Sequence, residues 1–199
     1  HAEEIQRGFP AHITTRQGPT VTASAVVVAT NTPFNDLVAI HTKQAAYMSY
    51  VVAFGVPRGS VAKALYWDTL DPYHYVRQQE GEGGARFLIV GGADHKTGQH
   101  LRPDECWERL ERWARAHFPG LGEVAQRWSG QVMEALDGLA YLGPDPGGQD
   151  NVFIATGDSG MGMTHGTIAG LLLSELVQGR DHRWAKVYDP KRLPMRSLG

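Results

Sequence analysis

Residues 151–170, NVFIATGDSGMGMTHGTIAG, constrain the fold more than any other stretch of the chain. A short apolar run at 152–155 meets a turn with glycine at 157, 160 and 162. An apolar helical pattern follows at Ile168, Leu171, Leu172, Leu173 and Leu176. The spacing predicts a buried strand, a tight turn, and a helix over 164–178 closed by Gly179. Glycine tolerates positive φ and lets a ligand approach the backbone. Free N–H groups and the dipole at a helix start favour negative charge. The turn is therefore either an anion or electron-rich ligand site, or a packing turn. Asp158, Ser159 and Thr164 give it a polar density that packing alone rarely needs.

The dinucleotide fingerprint is G-x-G-x-x-G after a strand, with an acid roughly 20 residues further on. Gly160 and Gly162 fit its first two glycines, but His165 stands at the third, and no second strand and acid follow. An autonomous nucleotide fold does not follow from this stretch alone.

The remaining chain alternates between two textures. Residues 12–30 read as a hairpin around Gln17-Gly18-Pro19, its second arm ending in the apolar run 25–29 of a buried parallel strand. The start, HAEEIQRG, has no strand lead-in and reads as a truncation, a processing site or an artificial boundary. Stretches 45–56, 64–68, 73–78 and 86–90 are short β-rich segments of an antiparallel sheet. One helix begins at Arg102-Pro103-Asp104-Glu105, with Trp107, Leu110, Trp113, Ala114 and Phe118 as its apolar stripe. Residues 124–134 read as a last strand, and 183–199 as a basic tail that packs late or dangles. The fold class is α/β (α+β), a partial Rossmann-like sheet (1–36 and 136–182) interrupted by an antiparallel domain (37–135). The two flanking pieces supply few strands, which itself suggests that an N-terminal part is absent.

A net charge of −2 provides no basic excess for nucleic acid, and no apolar run is long enough to span a membrane. The lone cysteine, Cys106, excludes an internal disulfide and an all-cysteine metal cluster held by this chain alone. It fits a cytoplasmic enzyme, and its thiol is expected to be inert.

Three segments resemble the later part of flavoproteins of the D-amino-acid oxidase, glycine oxidase and sarcosine oxidase superfamily. They are VVVATNTPFND at 26–36, RWSGQVMEALDGLAYLGPDP at 127–146 and TGDSGMGMTHGTIAG at 156–170. YDPKRLP at 188–194 is similar to the subgroup in which a Rieske iron–sulfur domain often follows. The superfamily's opening G-x-G-x-x-G segment and the Rieske Cys/His set have no counterpart here. The resemblance implies FAD as cofactor, with the flavin ring and ribityl chain facing Gly157, Asp158, Ser159, Gly160, Met161, Gly162, Met163 and Thr164. Thr30 and Asn31 match the strand end that passes near it. It also implies oxidation of a small amine or amino-acid-like substrate by hydride transfer to flavin, with no classical base, so no single catalytic residue is assigned. A missing N-terminal segment or a Rieske-type electron partner is implied in the same way.

The inserted sheet would then cover the flavin and bind substrate. Tyr50, Tyr73, Tyr75, Arg77, His95 and Gln131 are its candidate contacts. Strand alternation places Tyr73, Tyr75 and Arg77 on one face, where they either clamp a substrate carboxylate or form a solvated sheet face. Residues 91–98 read as a second glycine-rich turn held by Asp94. Alternatively, His95 contacts substrate, or Asp94, His95 and His100 hold a metal. A non-enzymatic ligand-binding module, or an inactive fragment without the ADP-binding half, is the competing reading of the chain.

Overall fold

The computed structural model describes residues 1–6, 8–35, 40–99 and 102–193, and at 149 and 150 the backbone alone. In chain order its strands are β1 (Ala2–Gln6), β2 (Ala11–Thr15), β3 (Thr20–Ala23), β4 (Val26–Val28), β5 (Gln44–Gly55), β6 (Leu65–Trp67), β7 (Tyr75–Glu80), β8 (Arg86–Lys96), β9 (Val124–Ala135), β10 (Tyr141–Asp145) and β11 (Gln149–Thr156). The helices are α1 (Pro103–His117), α2 (Gly162–Val177) and α3 (Ala185–Tyr188). The class is α+β, with mixed sheets and few helices. Two compact units divide the chain: His1–Ala45 with Val132–Gly199, and Ala46–Gln131. No helix among the described residues is long and apolar enough to cross a membrane.

The unit Ala46–Gln131 is built on the sheet β6-β7-β8-β5-β9 with α1 on one face. Cys106, Leu110 and Ala114 recur at helical spacing and are buried against Tyr50, Val52, Phe54, Val76, Leu88 and Val90. Pro103 and two acids open α1, and Trp107 and Trp113 flank its buried stripe, half-buried. Burial of a side chain the size of Leu110 stabilises by about 2 kcal/mol. The opposite sheet face carries Val51, Ala53, Ile89 and Tyr75.

Strand β8 corrects the expectation of a turn at 91–98, because it continues to Lys96 and turns only after it. A bulge makes this possible. Met48 pairs His95 and Tyr50 pairs Gly92, so two steps on β5 face three on β8. Gly92 (φ 146°) and Ala93 (φ 58°) absorb the extra residue. Before the bulge, Leu88 and Val90 face α1; after it, Ala93 does, and His95 meets Tyr50 of the same core.

The other unit has two sheets. The hairpin expected at 12–30 forms as β2–β3, with β4 following as the parallel strand. The opening residues also form a strand, β1, which pairs β2 with Ile5 opposite Ile13. Its side chains are mostly exposed, so no apolar alternation announced it. The second sheet has the order β10-β11-β4, with β11 and β4 parallel. One face buries Val28, Tyr141, Val152 and Ile154; the other buries Leu142 against Leu172 of α2. Burial on both faces is what a parallel pair requires. Helix α2 closes as expected, with Gly179 left-handed and Arg180 N–H bonded to the Glu175 carbonyl at 3.0 Å. The stretch 184–193 does not dangle: α3 and the residues after it pack on β10, with Pro190 against Gly143. Positions 194–199 lie outside the described residues.

Candidate functional site

The glycine turn leaves β11 at Thr156 and enters α2 at Gly162. Within it Gly157 (φ 71°), Ser159 (φ 49°) and Gly160 (φ 75°) are left-handed. A side chain at Gly157 would be crowded: a Cβ would stand 2.9 Å from Gln44 Oε1 and 3.1 Å from the Tyr141 ring. Left-handed backbone at a non-glycine costs of order 1–3 kcal/mol and persists only where its surroundings hold it. Here they do. Ser159 N–H donates to the Met133 carbonyl at 3.0 Å, and Ser159 Oγ accepts from Ala135 N–H at 3.0 Å. Buried His165 donates from Nδ1 to the Asp158 carbonyl at 2.9 Å.

The end of β4 is tied to the same turn. Asn31 is left-handed (φ 63°), and its carbonyl accepts from Thr156 Oγ1. The buried Gln44 amide donates to Thr156 Oγ1 at 3.2 Å. Thr30 Oγ1 donates to the Thr32 carbonyl, so its hydroxyl is spent locally. Asn31 is thus held at the root of the glycine turn, with Thr30 beside it in sequence. Residues missed in the sequence are Gln44, Thr156 and His165, whose long-range partners no local pattern reveals.

A cleft of about 250 Å³ lies beside the turn, lined by Ala29, Asn31, Gly157, Asp158, Gly162, His165 and Gly166 among others. Whole ligand sites run from about 300 to 1,000 Å³, so this volume suits part of a large cofactor. Gly166 lines the cleft, and nothing lies within 4 Å of the position its Cβ would take. The first turn of α2 holds no acid. The Asp158 carboxylate, however, lies 2.8 Å from the point a Gly162 Cβ would occupy. One carboxylate therefore already faces the helix start, which makes it a poor seat for pyrophosphate and a better one for hydroxyl donors and a neutral or weakly charged ring. Met161 and Met163 are exposed, Met163 by 89%.

The candidates of the second unit divide between two sheet faces. Tyr50 is buried under α1, where its hydroxyl meets His95 Nε2 at 3.1 Å and its ring abuts Trp107 edge-on. His95 Nδ1 donates to the Lys96 carbonyl, which leaves Nε2 to accept from Tyr50. Burial pushes the Tyr50 phenol and the Cys106 thiol up, which fits an unreactive thiol. Tyr75 and Arg77 lie on the opposite face, with Arg77 bonded to Gln79 at 2.8 Å. Tyr73 precedes β7 and sits 6.2 Å from the Tyr75 ring. Tyr75 lies flat across Gly91, where a Cβ would come within 1.9 Å of its ring. Burial raises the Asp94 carboxyl, against the opposing effects of Ser49, His95 and His74. Gln131 bonds Thr97 Oγ1 at 3.3 Å. Among the described residues no group of three His, Cys, Asp or Glu side chains is placed to hold a metal, and His100 lies outside them.

The family model described as FAD dependent oxidoreductase, DAO, matches residues 1–176. The chain belongs to the DAO family. A protein of Bacillus subtilis (strain 168) named for a Rieske 2Fe-2S iron–sulfur centre, YhfW, is 25% identical over 192 residues, covering 96% of this chain and 37% of YhfW. Glycine oxidase from Geobacillus kaustophilus superposes with a TM-score of 0.77 at 19% identity, covering 97% of this chain and 52% of that one. L-proline dehydrogenase from P. horikoshii gives 0.72 at 18% identity, over 95% and 53%. The chain thus spans little more than a third of YhfW and about half of each solved structure. These likenesses show a shared DAO-type fold.

Proposed function

We propose that this DAO-family chain is the flavin-ring and substrate-binding portion of an FAD-dependent oxidoreductase acting on a small amine or amino acid. The observation that carries the reading is the strand–turn–helix at 149–177, with its left-handed turn pinned to β9 and its cleft floored by glycines. When bound, FAD supplies the hydride acceptor for a C–H next to nitrogen. The chain's own part is positioning. Gly157, Gly160 and Gly162 keep the backbone open to the ring, Ser159 and His165 fix the turn, and Asp158 offers an acceptor to a ribityl hydroxyl. Thr30, Asn31, Met161, Met163 and Thr164 border the same place. The positive end of α2 stabilises charge on a reduced ring by roughly 0.3–1 kcal/mol.

In this reading residues 1–36 and 136–182 form the FAD-binding part, 37–135 the substrate domain and 183–199 a tail. Tyr73, Tyr75 and Arg77 contact substrate from the sheet face turned away from α1. Gln131 contacts it from β9, while Tyr50, buried under α1 and bonded to His95, supports the sheet from behind and does not reach substrate. The exposed Val27 on edge strand β4 and the apolar groove it shares with Leu173 and Val177 support pairing with further strands of an ADP-binding half. A cytoplasmic location and a Rieske-type electron partner belong to the same proposal; the YhfW likeness supports the latter.

The test is FAD titration of the full-length protein, followed by anaerobic flavin bleaching with a panel of amines and amino acids. Gly166→Val is expected to abolish FAD uptake while the fold is retained. Uptake unchanged by that variant places the cofactor elsewhere. The small cleft favours a second expectation: residues 1–199 alone hold FAD weakly, and stoichiometric FAD surviving their purification contradicts it.

A further inference from the structure

The stretch 188–193 is bound into the molecule by more than surface contact. Arg192 clasps Asp137 through two bonds of 2.8 and 2.9 Å and donates to the carbonyls of Ala140 (3.0 Å) and Leu139 (2.6 Å). The pair is nearly enclosed, with 11% and 4% of the two side chains exposed. Lys43 Nζ donates to the carbonyls of Pro190 and Arg192, each at 2.9 Å. A buried ion pair contributes less to stability than apolar residues of the same volume often do, and its best-attested use is to specify a conformation.

What it specifies is visible in its neighbours. The Arg192 guanidinium lies 4.0 Å over the ring of Tyr141, which is fully buried. The same ring is the wall that Gly157 abuts, 3.1 Å from its Cβ direction. A second arm reaches the same turn. Tyr188 meets the His165 ring edge-on at 6.0 Å, and His165 holds the Asp158 carbonyl. The segment therefore presses on two consecutive residues of the glycine turn through two independent side chains.

We propose that Arg192 and Tyr188 are positioning residues for Gly157 and Asp158, so that the C-terminal segment sets the conformation of the turn. Its effect on FAD affinity rests on the flavin reading above; its effect on the turn does not. The experiment is amide hydrogen exchange on the cofactor-free full-length protein, with FAD titration of the same variants. Arg192→Ala is expected to speed exchange at 157–165 roughly tenfold or more by local opening, and to raise the FAD Kd by about as much. Arg192→Lys, which keeps charge but loses the two-pronged clasp, restores part of both. Tyr188→Ala loosens the Asp158 side, whereas Tyr188→Phe keeps the ring and changes neither. Val152→Ala, a core truncation in β11, lowers melting temperature but leaves turn exchange and Kd within about twofold, separating positioning from general stability. Turn exchange within about twofold of wild type in folded Arg192→Ala overturns the proposal. If that variant does not fold, Arg192→Lys and Tyr188→Ala decide by the same exchange criterion. If wild type takes up no FAD, the flavin reading fails, and exchange alone still decides the role of the segment.

Discussion

The two compact units keep themselves folded by different means. In Ala46–Gln131 the described buried residues are apolar, from Val52 and Phe54 on β5 to Leu110 and Ala114 on α1. The four described buried polar residues, Gln44, Asp145, Thr156 and His165, all belong to the other unit. Large apolar side chains are exposed in both, Leu65 and Trp67 in the first and Val27, Leu171 and Val177 in the second. One unit is thus an oily core under a helix, tolerant of how its strands end. The other depends on hydrogen bonds between residues more than a hundred positions apart, such as Gln44 with Thr156. Buried polar networks fix one arrangement when fully satisfied, which is what a ligand site needs and a bare core does not supply.

Four measurements can break or sharpen this contrast. Leu110→Ala is expected to cost about 3 kcal/mol. Four of the five tryptophans, Trp67, Trp107, Trp113 and Trp128, lie in the affected unit, so in a Trp184→Phe background tryptophan fluorescence during urea unfolding reports it directly. Exchange at 157–165 should stay unchanged under native conditions; a matching rise there would mean that the units are not separately held. Gly157→Ala comes next, at about 2 kcal/mol, because alanine meets both a left-handed backbone and the Gln44 and Tyr141 side chains. Its FAD uptake should be lost, and normal uptake would remove Gly157 from the site.

Asp137 provides the pH arm. Burial alone would raise its carboxyl, but the Arg192 guanidinium and Leu139 N–H hold it below the ordinary 3.8. A depressed folded value means that its stabilisation is present above 3.8 and is lost as pH falls through the lower folded value. Asp137→Asn should cost about 1.5 kcal/mol at pH 7 and flatten acid unfolding of this unit. An acid limb identical to wild type contradicts the assignment. Asp94 is expected to give the smallest effect, with the opposite sign. Its carboxyl is raised by burial, and Oδ1 accepts no hydrogen bond among the described residues. Its folded form keeps the proton that the unfolded form releases, so stability declines as pH rises from 3.8 through the raised value. Asp94→Asn should raise the melting temperature by about 2 °C at pH 7 and not at pH 3, checked by calorimetry.

Much of the fold could be read from the chain because local chemistry determined it. Apolar runs marked β4 and β11, β-rich composition marked β5 and β7, and Pro103 with its acids marked α1. What escaped was whatever depends on distant partners or on one inserted residue. Strand β1 has an exposed, polar sequence and exists through its pairing with β2. Gly91-Gly92 looked like a turn because glycine pairs usually break strands, yet here one makes room for Tyr75 and the other bends the bulge. The glycine turn was legible as a strand–turn–helix, but the parts of Gln44, Thr156 and His165 in holding it were not, since tertiary contacts set them. The tail looked loose because its anchors are distant in sequence, with Asp137 fifty-five positions before Arg192 and Lys43 further still.

The bulge in β8 acts as a parity change in the strand. Up to Val90 the even-numbered residues serve the helix side; from Ala93 onward the odd-numbered ones do. A relative that loses one residue between 91 and 93 loses the bulge with it, and a regular ladder then still sets His95 opposite Met48, with Asp94 on the other face. A relative that keeps the count but straightens the strand exchanges the faces of every later side chain, sending the Asp94 carboxyl into the core and turning His95 away from Tyr50. The bulge and the count of residues between Val90 and His95 are therefore constrained together.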